Sequence, residues 1–349
     1  MTKRVAEVLV SSVLSAAVPL GASAEMPAPG TVEAAGAAFP VVTAGEGEPV
    51  LFVHAALGDY RKWDGLWEDV AAGHRFIAYT QRWFGTTAWP EDKPYARDVQ
   101  DDDLVAILQA LGEPVHLVGL SNGGPVVLRA ALRVPELVQS VVGYEPTLFD
   151  VLFESAEGEA VVAEFFAGEA DTSAAVEAGD DEEAARELIE MIYALPEGGF
   201  DRLDPVQKIM VLDNAHTMPL LWNAPEPTPL TCEDLRKITV PVLVIYGAET
   251  LPLWQLASRT VAECVPKAWL ATIEGVGHKG PVAAKDAFVN LVLASATRSD
   301  GWTPSGDLLR RLNRRGKRPG VARVSYGSRL NDSLRGPLTD MNSRLTLTH

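Results

Sequence analysis

The sequence predicts an α/β architecture: a mostly parallel sheet flanked by helices, with a helical cap inserted near the middle of the chain. Three observations carry this. Short apolar, β-branched runs alternate with longer segments of helical periodicity, the order that buries both faces of a parallel sheet. The alternation breaks between about residues 149 and 237, where helical stretches continue without a convincing strand. It then resumes to about residue 297.

The elements follow in order. "EPVLFVH" (48–54) and "HRFIAYT" (74–80) read as strands. Residues 96–112 read as a helix: acids crowd the first turns, Leu104, Ile107, Leu108 and Leu111 form one apolar stripe, and Gly112 ends it. "PVHLVGL" (114–120) is a strand, 123–134 a helix stopped by Pro135, and "VQSVVGY" (138–144) another strand. The insertion carries "DDEEAARELIEMIYAL", many of the chain's acids, and apolar residues including Phe149, Phe165 and Trp222. "PVLVIYG" (241–247) is a buried strand ending in a turn. A helix near 254–265, a strand near 268–273 and a helix near 281–295 complete the body. The resulting division is an N-terminal extension (1–37), a first core part (38–148), the cap (149–237), a second core part (238–297) and a tail (298–349).

With 349 residues, 47% of them hydrophobic, the chain has enough material for a proper core. Its net charge of −17 is uneven: from Arg298 onward eleven basic residues face four acidic ones, which leaves 19 basic and 43 acidic for the rest. An acidic body argues against nucleic acid as a partner. The basic, Ser/Arg/Gly-rich tail is expected to lack structure. No apolar stretch suits a stable membrane insertion. Cys232 and Cys264 make no disulfide framework and no zinc motif; two ordinary thiols are expected, with a single bridge between them as the alternative if the protein is exported. "MTKR", an apolar run and "ASA" at 22–24 give residues 1–24 the features of a weak signal peptide, diluted by Glu7 and three serines. The protein is therefore expected to be cytoplasmic, or exported if that segment acts as a signal. The sequence leaves the oligomeric state open.

"HLVGLSNGGPVVL" holds Gly119, Ser121 and Gly123 in G-x-S-x-G spacing between a strand and a helix. That context matters more than the pentapeptide. A nucleophile at a sharp strand-to-helix turn needs small neighbours, and the following helix points its N-terminal dipole at developing negative charge.

With this elbow the chain resembles the α/β-hydrolase superfamily over roughly residues 38–296. "LFVHAALGDYRKW" is similar to the family's His-Gly motif, with Trp63 nine residues past His54. "AYTQRWFGTT" is similar to its Asp-x-Arg-Gly-x-Gly turn, with Gln81 and Trp83 departing from it. "IEGVGHKGP" resembles the loop that carries a catalytic histidine. The resemblance implies Ser121 as nucleophile and His278 as its base. It also implies the amides of Ala56 and Asn122 as an oxyanion hole, with Ala55 standing where glycine is common. His54 belongs to the oxyanion loop, and His216 to the cap.

Two residues can supply the acid, Glu145 being preferred and Glu249 the alternative. Where many members present an aspartate after "PVLVIYG", this chain has Thr250, with Glu249 adjacent. Glu145, at the end of the strand following the elbow, is the other choice, because parallel strand ends converge on one sheet edge. Some members of the superfamily place the acid there.

The implied activity is a serine hydrolase that cleaves a small or medium apolar ester or lactone through an acyl-enzyme, needing neither metal nor organic cofactor and no partner beyond its small-molecule substrate. The alternatives are a C–C bond hydrolase or cofactor-free haloperoxidase on the same residues, and a non-catalytic binding protein on the same scaffold.

Overall fold

The computed structural model describes residues 25–296 and the backbone of 324–326. The signal-like segment and the rest of the tail lie outside the described residues. One sheet of nine strands organises the molecule: β1 (Gly30–Ala34), β2 (Ala37–Ala44), β3 (Pro49–Val53), β4 (Arg75–Tyr79), β5 (Val115–Leu120), β6 (Val138–Tyr144), β7 (Val242–Gly247), β8 (Ala268–Ile273) and β9 (Val324–Tyr326). Their order is β1-β2-β4-β3-β5-β6-β7-β8-β9. β1, β2 and β9 pair antiparallel to their neighbours, and every contact from β4 to β8 is parallel.

Two features extend this sheet beyond the sequence reading. β1 falls inside the segment expected to be an extension, and it joins β2 through Ala35 and Gly36, both at positive φ (+48° and +74°). That pair makes the two-residue hairpin turn whose twist matches paired strands. At the far edge β9 pairs with β8, within the segment expected to lack structure.

β3, β5 and β7 are buried along their whole length and sort their side chains by alternation. Leu51 and Val53 of β3, Leu117 of β5 and Val244 of β7 face one core. Val50, Phe52, Val118 and Ile245 face the other. Helices Arg97–Leu111, Gly123–Arg133 and Pro252–Cys264 cover the first face, and Lys285–Ala296 covers the second.

Between β6 and β7 the chain runs through helices including Ala156–Ala167, Ala170–Ala178, Asp181–Ile192 and Pro205–Asp213. These form a smaller cluster of their own, Ala184, Ile189, Phe200, Val211 and Met218, which closes over Leu57 of the core. A buried polar seam ties the insertion down. Asn214 accepts from the Gly85 amide (2.6 Å) and donates to Asp59 (2.9 Å), while Arg61 bridges Asp59 and Asp213 at 2.6 Å each.

The two cysteines are not free thiols: Cys232 and Cys264 form a disulfide. Cys232 begins a short helix at the insertion's return and Cys264 ends Pro252–Cys264. Their proximity comes from packing, which no spacing rule reveals. Closing a loop of this length removes roughly 3–4 kcal/mol of unfolded-state entropy.

Candidate active site

Ser121 lies where β5 turns into the helix Gly123–Arg133, with φ at +52°. A non-glycine residue adopts that conformation only under local strain. The glycines around it are spacers. A Cβ on Gly123 would lie 2.5 Å from the Val53 carbonyl oxygen, and one on Gly124 would lie 2.5 Å from Pro146 Cβ. The Ser121 carbonyl accepts from the amides of Gly124 (2.8 Å) and Thr147 (3.1 Å), which fixes the bend against the end of β6.

The next strand end supplies the carboxylate. Glu145 follows β6 with φ at +44° and is fully buried. Its Oε2 lies 2.5 Å from His278 Nδ1 and accepts from the Thr250 hydroxyl (2.9 Å), while its Oε1 accepts from the Gly247 amide (2.7 Å). Thr250, which stands where an acid was sought, therefore donates to Glu145. The Glu249 side chain is exposed and makes no hydrogen bond or ion pair among the described residues; the structure does not bring it to His278. Gly247 lets the histidine loop approach, because a Cβ there would collide with the Val276 carbonyl. Tyr144 donates to the Gly277 carbonyl at 2.7 Å, so β6 positions the loop and its carboxylate together.

His278 is 4% exposed, and Trp254 stacks on its ring at 4.4 Å and 20°. Its Nε2 is buried and has no hydrogen-bond partner. Ser121 does not fill that role here: its hydroxyl is bonded to Thr147 Oγ1 at 3.0 Å. Such nucleophile–base contacts are often open in ligand-free sites.

The loop after β3 carries His54, whose Nδ1–H donates to the Ala55 carbonyl (2.8 Å) and whose Nε2 accepts from the Gln81 amide (2.9 Å). Burial lowers the His54 pKa to about 4, which fixes the neutral ring and this tautomer. Gln81 also donates to the His54 carbonyl at 2.9 Å, so the residue that departs from the family pattern braces the loop after β3. Ala55 keeps a negative φ, and it is Leu57 that turns positive (+52°). The Ala56 and Asn122 amides donate to no backbone carbonyl among the described residues. His216 stays on the insertion, bonded to the Trp83 carbonyl at 3.0 Å.

Thr147, Trp254, Tyr144 and Asn214 were not singled out for a role from sequence. Thr147 and Tyr144 flank Glu145 closely enough to have been suspected, whereas Trp254 and Asn214 carry no local signal. Among the described residues no group of three or more His, Cys, Asp or Glu side chains is arranged to hold a metal, and no helix is long and apolar enough to cross a membrane.

A strained serine after the central parallel strand, with a carboxylate-held histidine on the same sheet edge, fits the match of residues 50–291 to the alpha/beta hydrolase family, and the chain belongs to that family. It is 35% identical over 102 residues to the 2-hydroxymuconate semialdehyde hydrolase of Pseudomonas sp. (strain CF600), covering 28% of this chain and 36% of that protein. It is 29% identical over 109 residues to an esterase of Mycobacterium tuberculosis, covering 31% and 36%. The aligned stretch spans about a third of the length of each of these curated relatives. A crystal structure of a mutant meta-cleavage product hydrolase superposes with a TM-score of 0.60 at 25% identity, over 77% of this chain and 98% of that one; the same hydrolase is known from Pseudomonas fluorescens IP01.

Proposed function

We propose that this protein cleaves a small or medium apolar ester or lactone through a serine-bound acyl intermediate. The observation that carries the reading is the Glu145–His278 pair: it holds Nδ1 and leaves Nε2 unpartnered on the sheet edge where Ser121 is strained outward. In the reaction Ser121 leaves Thr147 and gives its proton to His278 Nε2 as Oγ attacks the carbonyl carbon. Glu145 stabilises the imidazolium that forms. The amides of Ala56 and Asn122 receive the oxyanion. Collapse breaks the acyl–oxygen bond, and His278 returns the proton to the leaving alcohol. Water then repeats the sequence and frees the acid, so no cofactor is consumed.

The helical insertion serves as a cap. Its Phe165 and Phe166, with Phe149, build an aromatic cluster onto Trp254, the residue stacked on His278. That wall supports an apolar substrate. Similarity to the 2-hydroxymuconate semialdehyde hydrolase supports a second reading, C–C bond hydrolysis on the same residues.

A fluorophosphonate probe tests the common core of both readings. Intact mass is expected to show one adduct on the wild type and none on Ser121→Ala. A folded wild type that takes no adduct overturns the serine mechanism. Turnover of p-nitrophenyl butyrate against that of a meta-cleavage diketone then separates ester from C–C chemistry.

A further inference from the structure

A second cleft opens beside the elbow, between the start of helix Arg97–Leu111, the start of helix Gly123–Arg133 and the loop after β6. With the open solvent at its mouth included, its volume is about 500 Å³. Asn122 and Thr147 line it, and these two residues flank Ser121. A substrate whose carbonyl reaches Ser121 Oγ would have this cleft beside it, next to the Asn122 and Thr147 side chains.

The charged groups around the cleft are unequal. Arg129 also lines it, but its guanidinium is engaged by Asp101 at 3.1 Å and by the Thr228 carbonyl. Asp150 accepts from the Leu230 amide at 2.9 Å, and Asp98 accepts from the Thr228 hydroxyl at 2.7 Å. Arg97 alone makes no hydrogen bond or ion pair among the described residues, although it lines the cleft and is half-buried. Its position is also unfavourable for the helix it begins. A cation in the first turn opposes the macrodipole, and Ala96 provides no side-chain cap for the free amides there. Deeper in, the Gln100 side chain is 6% exposed and lies beside the Tyr95 hydroxyl, yet its Nε2 completes no well-formed hydrogen bond. An uncommitted guanidinium and a buried amide donor without a partner line one cleft. Each of them favours an anion.

We infer that this cleft is a subsite for a carboxylate carried by the substrate, with Arg97 as the ion-pairing residue and Gln100 as a second donor. The natural substrate class is then an ester or lactone whose acyl part ends in a carboxylate, a half-ester of a short dicarboxylic acid being the simplest form. The inference rests on the Ser121 reading for the position of the carbonyl, and not for the existence of the anion site.

The test compares p-nitrophenyl butyrate with the mono-p-nitrophenyl esters of succinate, glutarate and adipate. Wild type is expected to favour at least one half-ester in kcat/KM, with a preference that declines as salt is raised. Arg97→Gln is expected to lower that anionic-over-neutral preference about tenfold or more, and Arg97→Lys to restore part of it. A wild type that turns over esters without that preference, or with one that Arg97→Gln shares, overturns the subsite. Binding of the same half-esters to Ser121→Ala, followed by calorimetry, separates the two readings. Arg97-dependent binding alongside a wild type that turns over no ester keeps the subsite and sinks the ester hydrolase. No binding to either Ser121→Ala or its Arg97→Gln double variant sinks the subsite.

Discussion

The two halves of the candidate site differ in how far they are assembled. On the acid–base side every part is committed: Glu145 receives the Gly247 amide, the Thr250 hydroxyl and the His278 ring, Tyr144 holds the Gly277 carbonyl, and Trp254 covers the imidazole. On the nucleophile side Ser121 is strained and ready, but its hydroxyl is engaged by Thr147 rather than by His278. The acid–base half is rigid because three strand ends meet there in fixed register. In the proposed reaction the Ser121 hydroxyl must leave Thr147 for His278 Nε2, so the reorganisation falls on the nucleophile half.

The largest effects should fall on the residues the two halves share. Ser121→Ala and His278→Ala are each expected to lower kcat/KM for the best ester by about 10⁴-fold or more. Glu145→Gln should cost about 10³- to 10⁴-fold, while Glu249→Gln stays within about twofold, both read from steady-state kinetics on folded protein. Equal losses at the two glutamates would break the comparison at its acid. Thr250→Val keeps the volume but removes one donor to a buried carboxylate. It should reduce kcat about tenfold, with KM little changed. Thr147→Val sharpens the other half. Freeing the Ser121 hydroxyl should speed fluorophosphonate labelling by about fivefold, the worth of one hydrogen bond of ~1 kcal/mol, and slower labelling would mean that Thr147 assists rather than restrains.

A last effect concerns stability and pH and leaves the catalytic residues untouched. His54 is neutral in the fold with a pKa near 4, against 6.5 when unfolded. The unfolded chain therefore binds the extra proton between those values, so the His54 contribution is fully present above about pH 6.5 and is lost as the pH falls through about 4. The loss amounts to about 3 kcal/mol. His54→Asn should lower the urea midpoint at pH 7 and flatten its decline between pH 6.5 and 4. A wild type and variant that decline in parallel would remove His54 as the cause.

The parts that were legible in sequence are those built from local pattern. β3 and β7 are continuous apolar runs, β5 and β6 are apolar apart from His116 and from Gln139 and Ser140, and the elbow announces itself by glycine spacing. β1 escaped because its residues are largely exposed and small, so it shows no apolar face. The choice between Glu145 and Glu249 stayed open because it depends on which side chain turns inward at the ends of β6 and β7, a question of register across 102 residues of chain. Thr250 looked like a missing acid, and only its contact with Glu145 shows the position in use as a donor. The Cys232–Cys264 bridge and the Asn214–Asp59 seam join distant segments, and composition carries no trace of either.

The most direct measurement of the central claim is the low-field proton NMR signal of the His278 Nδ1–H, recorded at low temperature near neutral pH. The account predicts a strongly deshielded resonance in wild type and in Glu249→Gln, absent from His278→Ala and displaced upfield or lost in Glu145→Gln. A resonance that survives Glu145→Gln unchanged and disappears in Glu249→Gln would contradict the assignment of the acid to the end of β6.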